Sequence, residues 1–233
     1  LGALLAGDAT PQRDDGTRFP DNQPFVPVRL PRMHRDVQRE APAPTALERN
    51  AIELADAAYR VLGLPAVADK RFLITIGDRT VGGRIARDPL VGPWQVACAD
   101  AAIAHTDFTG HSGVAAAVGE RSPVALLDPA AAARLAVGEA LTNLASAGVV
   151  AIGQAKLSAN WMAACGEPGQ DAALYDAVHA VALELCPALG VAIPVGKDSL
   201  SMRTAWTDAA GTAQRVVSPV SLVVSAFAPV ADV

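Results

Sequence analysis

Glu139 and Asn143 lie four residues apart in a stretch rich in alanine and leucine. On a helix this spacing places both side chains on one face, one turn apart. A carboxylate among apolar neighbours is costly to bury unless it is paired or coordinated. Carboxylate and amide oxygens suit magnesium or calcium and suit zinc poorly, and Asp100, at the end of a predicted strand, is the natural third ligand. By spacing alone, a solvated helix face or a cap explains the pair Glu139 and Asn143 more often than a metal does.

Two further motifs are open to both a binding and a structural interpretation. The segment 196–199 (GKDS) follows an apolar strand, where backbone amides and Lys197 would suit a phosphate. The glycine spacing of a Walker loop is absent, so a polar turn is the simpler interpretation. Asp78, after another predicted strand, contacts a ligand or caps a turn. The four histidines show no metal-ligand spacing, and Cys165 lacks the glycines of a nucleophile turn.

Composition excludes several classes of protein. The chain has 233 residues, 51% hydrophobic and 18% charged, with a formal net charge of −5. Without a basic stripe it is not expected to bind nucleic acid. Three widely spaced cysteines suit neither a disulfide framework nor zinc, which favours reduced thiols in a cytoplasmic protein. No apolar run reaches the roughly 18 to 20 residues that span a bilayer, so no membrane partner is expected.

Strands and helices mix along the chain without strict alternation. Asp128 followed by Pro129 predicts the start of the helix that carries Glu139 and Asn143, and Gly148 closes it. The full set of predicted elements is strands at 72–76, 80–86, 94–99, 124–127, 156–160, 191–195 and 216–226, and helices at 45–62, 129–147 and 172–185. This pattern favours an α+β fold, with a mixed or antiparallel sheet packed with helices, over a doubly wound parallel sheet.

We predict two segments. Residues 1–66 form an extended linker with one helix, because repeated prolines interrupt any other element; Thr45 and Glu48 have the spacing of a capping box at that helix. Residues 67–230 form the folded domain. The chain begins at Leu1 rather than Met and stops abruptly at Val233, so we expect it to be a piece of a longer protein.

Several long motifs carry a family resemblance. They are FLITIGDRT, ARD and VGPWQ between Phe72 and Gln95, GERSPVALLD and RLAVGEALTN between Gly119 and Asn143, KLSANWM at 156–162, IPVGKDSLSM at 193–202 and MHRDV at 33–37. In these motifs the chain resembles the large-type phosphoribosylformylglycinamidine synthases, which use ATP and glutamine-derived ammonia to convert formylglycinamide ribonucleotide to formylglycinamidine ribonucleotide in purine biosynthesis. It resembles the linker and the N-terminal half of their second aminoimidazole-ribonucleotide-synthetase-like unit.

The resemblance implies a site, a cofactor and partners. It implies magnesium ligands at Asp100, Glu139 and Asn143, a nucleotide contact at Ala99, and ATP or ADP as the nucleotide. Lys197 and Asp78 fall near the nucleotide by the same resemblance. The partners would be the rest of the enzyme: a first synthetase-like unit and a C-terminal glutaminase. The site would be auxiliary, so we expect this chain alone to be inactive.

Two functional hypotheses follow, and a third is weaker. The chain is either part of the ligase or a purely structural nucleotide-binding module that braces it. A free-standing kinase-like relative would need its own catalytic half.

Overall fold

A mixed five-stranded sheet lies at the centre of the part of the chain that the structure describes. The computed structural model describes residues 37–39, 52–65, 67–69, 71–75 and 77–233. The strands are β1 (Leu90–Val91), β2 (Ala97–Cys98), β3 (Ala101–His105), β4 (Gly113–Glu120), β5 (Lys156–Met162), β6 (Ala192–Ser199), β7 (Arg203–Thr207), β8 (Ala213–Val217) and β9 (Ser221–Val230). The sheet order is β3-β4-β9-β5-β6, and only β5 and β6 pair in parallel. β1 pairs with β2, and β7 with β8, in two antiparallel ribbons.

Helices cover one face of this sheet. The helical elements are α1 (Leu54–Leu62), α2 (Arg71–Thr75), a 3-10 turn (Ser122–Leu126), α3 (Pro129–Ala145), a second 3-10 turn (Ile152–Gln154), α4 (Gln170–His179), a π-helical stretch (Ala180–Leu185) and α5 (Cys186–Leu189). α3 packs on β4 and β9, and α4 packs beside α3. In β4 and β9 every second residue is buried, which places a row of small and β-branched side chains under the helices. The core is built largely of alanine, valine and leucine.

Asp128 caps the helix that carries the predicted ligands. Its carboxylate accepts a hydrogen bond from the backbone N–H of Ala131 at 2.9 Å, and Pro129 occupies the first turn. The predicted helix start is therefore confirmed.

We expect Asp128→Ala to lower the free energy of unfolding by about 1 kcal/mol, because an N–H at the first turn of α3 loses its acceptor. Urea unfolding of the chain measures the change. Asp128→Asn keeps a capping oxygen and is the matched control; equal losses in both variants would contradict a capping role.

The α+β class with a mixed sheet is confirmed, and several elements fall where the sequence predicts them. These are the helix at 129–147 (observed as Pro129–Ala145) and the strand at 156–160 (observed as Lys156–Met162). The helix predicted at 45–62 begins later than predicted: Ile52 and Glu53 are not helical, the helix spans Leu54–Leu62, and it ends before Gly63. Its predicted start with the Thr45 capping box lies outside the described residues, as does most of the 1–66 linker.

Two predicted strands are helical. The strand at 72–76 is wrong: Arg71–Thr75 forms the short helix α2, whose first N–H is accepted by the Asp69 carboxylate at 2.9 Å. The strand at 124–127 is also wrong, because Pro123 starts a 3-10 turn there. Short apolar runs carry no periodicity that separates a strand from a helical turn.

Other predicted strands are shorter or differently placed. From 80 to 86 a single bridge joins Ile85 to Ala104, because the chain turns at Gly82 and Gly83, both with positive φ. The strand at 94–99 is reduced to Ala97–Cys98. The strand at 216–226 is interrupted near Pro219, which has no N–H for a ladder, and so divides between β8 and β9.

The polar turn predicted at 196–199 is wrong, because these residues complete β6. They pair in parallel with β5, with Gly196 opposite Ala159. A Cβ at Gly196 would lie 2.3 Å from the carbonyl oxygen of Ala159, so only glycine fits this approach of the two strands.

The helix predicted at 172–185 is longer than expected. It continues through the π-helical stretch to Leu189 and so passes Pro187. Pro187 has no backbone N–H to donate, and it lies just after the π-helical stretch, where the hydrogen-bond pattern already departs from that of an α-helix. The resulting helical segment, Gln170–Leu189, is long and apolar enough to cross a membrane, judged by length and composition alone. Its buried residues Ala177, Val181 and Cys186 belong to the core, so it is not a clear membrane span.

Candidate functional site

Two of the three predicted ligands, Asp100 and Asn143, line one cavity near the start of β3. The ladder between β3 and β4 starts at Ala101, which lies opposite Ala117. Asp100 is the residue immediately before that ladder, and beyond Ala117 no described strand pairs with β4 on that side. Side chains of α3 reach this edge.

Glu139 and Asn143 satisfy the edge of β4 directly. The amide nitrogen of Asn143 donates to the carbonyl oxygen of Val118 at 3.0 Å. One turn earlier, Oε2 of Glu139 accepts from the backbone N–H of Glu120 at 2.8 Å. Both side chains therefore have a structural role here, because they replace the hydrogen bonds that β3 would otherwise supply.

Arg121 holds the second carboxylate oxygen of Glu139. Its guanidinium lies 2.8 Å from Oε1, and the Glu139 side chain is 24% exposed. The sequence did not predict this pairing, although Arg121 belongs to the GERSP motif. As a result, both oxygens of Glu139 have protein partners.

A cavity of about 500 Å³ opens beside Asp100. The side chains that line it are mostly small and apolar on the side of the sheet and include charged ones on the side of the 79–89 segment. The lining residues are Arg79, Thr80, Ile85, Arg87, Asp88, Pro89, Ala99, Asp100, Ala101, Ala102, Ala116, Ala117, Val118, Asn143, Ser225 and Phe227. The structure therefore brings Ala99, Asp100 and Asn143 together in one cavity, and Glu139 lies outside its wall. The volume is within the usual range for small-molecule sites, about 300 to 1,000 Å³.

The oxygens at this cavity suit a hard cation. Asp100 is exposed and makes no hydrogen bond or ion pair with any described residue. Because Asn143 donates its nitrogen to Val118, its side-chain oxygen is the atom left for a ligand. One carboxylate with one amide oxygen is a donor set that magnesium accepts when water and phosphate complete its shell. Each oxygen of the Glu139 carboxylate has a second lone pair, so a cation would share this carboxylate with Arg121 and the backbone N–H of Glu120.

Clusters of other ligand types do not compete with this site. Across the described part of the chain, no group of three or more His, Cys, Asp or Glu could hold a metal ion. The predicted trio differs from such a group because one of its members is an asparagine. None of the three cysteines, all of which the structure describes, forms a disulfide, and burial raises the pKa of the Cys186 thiol, which keeps it protonated and unreactive.

Lys197 and Asp78 do not line the cavity. Lys197 is exposed on β6, the opposite edge of the sheet from β3, and its amine donates to the Ser199 hydroxyl at 3.0 Å. Asp78 lies in the segment before the cavity wall. Arg79 and Arg87, by contrast, line the cavity, although sequence reasoning did not select them. Arg79 stands directly beside Asp78 in the GDR motif, and this was the available signal.

The mixed sheet, the helical layer on one face and the cavity beside β3 together define an α+β domain with a small-molecule-sized cavity. A protein-family model, the FGAR-AT PurM_N-like domain, matches residues 69–229. The chain belongs to this family. FGAR-AT denotes formylglycinamide ribonucleotide amidotransferase, and PurM is aminoimidazole-ribonucleotide synthetase. The resemblance inferred from the motifs is therefore confirmed. The fold is also confirmed as that of the N-terminal domain of aminoimidazole-ribonucleotide synthetase.

Solved chains from Thermotoga maritima are similar at low identity. Phosphoribosylformylglycinamidine synthase II matches at 21% identity over 56% of this chain and 20% of that chain, with a TM-score of 0.43. PurL complexed with AMPPCP matches at 21% over 70% of this chain and 24% of that one, with a TM-score of 0.49. PurL complexed with FGAR matches at 20% over 70% and 23%, with a TM-score of 0.46. This chain thus spans a quarter or less of each solved chain.

Proposed function

We propose that this chain is a domain of the ligase that converts formylglycinamide ribonucleotide to formylglycinamidine ribonucleotide with ATP and glutamine. Within it, the chain carries an auxiliary magnesium–nucleotide site formed by Ala99, Asp100, Asn143 and Glu139. The family assignment supports the reaction. The observation that carries the site is the convergence of Ala99, Asp100 and Asn143 on one cavity.

Each side chain has a defined task in this proposal. Asp100 supplies a charged oxygen with no competing partner, and Asn143 supplies a neutral one in a fixed orientation. Glu139 supplies a second carboxylate, which the cation shares with Arg121. Magnesium, when bound, neutralises the charge of nucleotide phosphates. The apolar wall, which includes Phe227, excludes water from the rest of the ligand.

The remaining assignments extend this proposal. The partners are the first synthetase-like unit and the glutaminase of the same enzyme, and the setting is the cytoplasm, where free thiols such as Cys98 persist. Because the catalytic ATP site and the nucleophile of the glutaminase lie in those partners, the isolated chain turns over no ATP. Amide-dependent ATP hydrolysis by the purified chain would contradict this assignment.

Asp100→Asn in the full-length enzyme tests the site. We expect at least a tenfold loss of retained nucleotide, because the neutral amide is a much weaker ligand for magnesium. A tenfold loss of affinity removes up to about 1.4 kcal/mol of ligand-linked stability, so the melting temperature should fall with it. Mass spectrometry of nucleotide released on denaturation and thermal unfolding measure the two effects.

Asp56→Asn is the matched control, since Asp56 lies on exposed α1 and, among the described residues, pairs with Arg60 alone. It should keep the nucleotide content and melting temperature of the wild type. If Asp100→Asn behaves like this control, the proposed site is wrong.

The alternative is a structural nucleotide module with no direct catalytic role. The bonds from Glu139 and Asn143 to β4 favour it, because loss of the site would loosen the seam between α3 and β4. Asp100→Asn separates the two readings. A structural site loses stability and nucleotide with a nearly unchanged chemical rate. A drop in chemical rate larger than the losses of nucleotide and stability favours direct catalysis.

A further inference from the structure

Arg87 presents an uncommitted positive charge to the cavity beside Asp100. It lines the cavity with an exposed side chain. It forms no ion pair or hydrogen bond with any residue that the structure describes. Its neighbours on the 79–89 segment differ in this respect: Arg79 lies 3.7 Å from the Asp88 carboxylate, and Arg84 donates to the carbonyl oxygen of Thr106 at 2.9 Å.

Arg79 is the second cation of this wall. Its pairing with Asp88 is loose, and both side chains are more than a third exposed, so the contact holds Arg79 weakly. A phosphate oxygen in the cavity would compete well for this guanidinium, since arginine matches phosphate through paired N–H groups. The two arginines outnumber Asp88, which lines the cavity on the same segment, so this wall presents a net positive charge to the same space as Asp100.

We propose that Arg87, assisted by Arg79, binds the phosphate groups of the nucleotide at this cavity. The inference rests on the proposed function, because it assigns residues to the ligand of that same site. Asp100 alone would repel a phosphate chain, whereas a cation held by Asp100 and a guanidinium on the facing segment would share its negative charge. The small apolar wall contributed by Ala102, Ala116 and Phe227 is left for the uncharged part of the ligand.

The test compares ligands with and without phosphate in the full-length protein. ADP with magnesium is titrated by equilibrium dialysis, and only the ADP sites that Asp100→Asn removes are counted; adenosine is titrated as a competitor of ADP for those sites. We expect Arg87→Gln to weaken ADP binding at least tenfold and to leave adenosine binding unchanged. Arg87→Lys keeps the charge without the paired donors and should give an intermediate loss.

Arg84→Gln is the matched control, because it removes the same charge three residues away, from a side chain that lines a different cavity. It should alter ADP affinity less than twofold. Equal losses for ADP and adenosine in Arg87→Gln, or no loss in either, would overturn the phosphate role and leave the auxiliary site standing. A wild type without any ADP site that depends on Asp100 would overturn the proposed function and this inference together. Melting temperatures of the variants confirm that each protein is folded.

Discussion

Gly119→Ala should destabilise the chain by about 3 kcal/mol, at the upper end of the cost of overpacking a core. A Cβ at this position would lie 2.1 Å from the carbonyl oxygen of Ala136 and 2.4 Å from the backbone nitrogen of Ala140. Both atoms belong to the backbone of α3, so no side-chain rotation relieves the clash. The helix itself must move away from β4.

That movement would also damage the candidate site. Gly119 lies between Val118 and Glu120, whose backbone groups bind Asn143 and Glu139. A helix displaced by about an ångström would lengthen both hydrogen bonds beyond their useful range. We therefore expect the variant to lose nucleotide as well as stability, as measured by urea unfolding of the chain and by nucleotide content of the full-length protein.

Gly138→Ala is the matched control for this substitution. Gly138 lies on α3 within a turn of Glu139, and a Cβ there would meet nothing within 4 Å. Alanine is favoured over glycine in a helix by about 1 kcal/mol, so this variant should be more stable than the wild type. If Gly119→Ala proved as stable as Gly138→Ala, α3 would not lie against β4 as the structure shows.

The position of α3 could be predicted from residues at its own ends, whereas its close packing against β4 could not. Asp128, Pro129 and Gly148 mark the ends of the helix through interactions with their own neighbours in sequence. The need for glycine at 119 arises from residues 17 to 21 positions away, and no periodicity records it. The failed turn at 196–199 has the same cause, because pairing with β5 decides that segment.

Part of the candidate site could likewise be predicted from the sequence, and part depends on contacts between distant residues. Spacing placed Glu139 and Asn143 on one helix face, the end of a predicted strand suggested Asp100, and the family motifs added Ala99. The ion pair of Glu139 with Arg121 depends on the register of β4 beside α3, which the sequence does not reveal. Arg87 was missed because a single arginine in a loop has no local signature; only the folded chain places it in the wall of a cavity.

A different large effect is expected at the ribbon formed by β7 and β8. Glu167 is 7% exposed and is the buried charged residue of the described core. Its two oxygens accept from Arg203 at 3.0 Å and from Arg215 at 2.8 Å, one arginine from each strand of the ribbon. The arginines are half exposed, at 52% and 58%. Both strands are thereby anchored to the loop before α4 by one carboxylate.

Glu167 is buried and the two arginines are half exposed, so the loss of folding stability depends on which of these side chains is replaced. Glu167→Ala leaves two arginines that water can solvate, and we expect a loss of about 2 kcal/mol, below the 3 to 5 kcal/mol typical of a broken buried pair. Arg203→Met combined with Arg215→Met leaves a buried carboxylate without a counter-charge, so the full loss of about 4 kcal/mol is expected. Adding Glu167→Leu to that double variant should restore much of the loss, since no buried charge then remains. Urea unfolding of the four proteins measures the series, and a triple variant no more stable than the double would show that burial of the carboxylate is not what makes the double variant unstable.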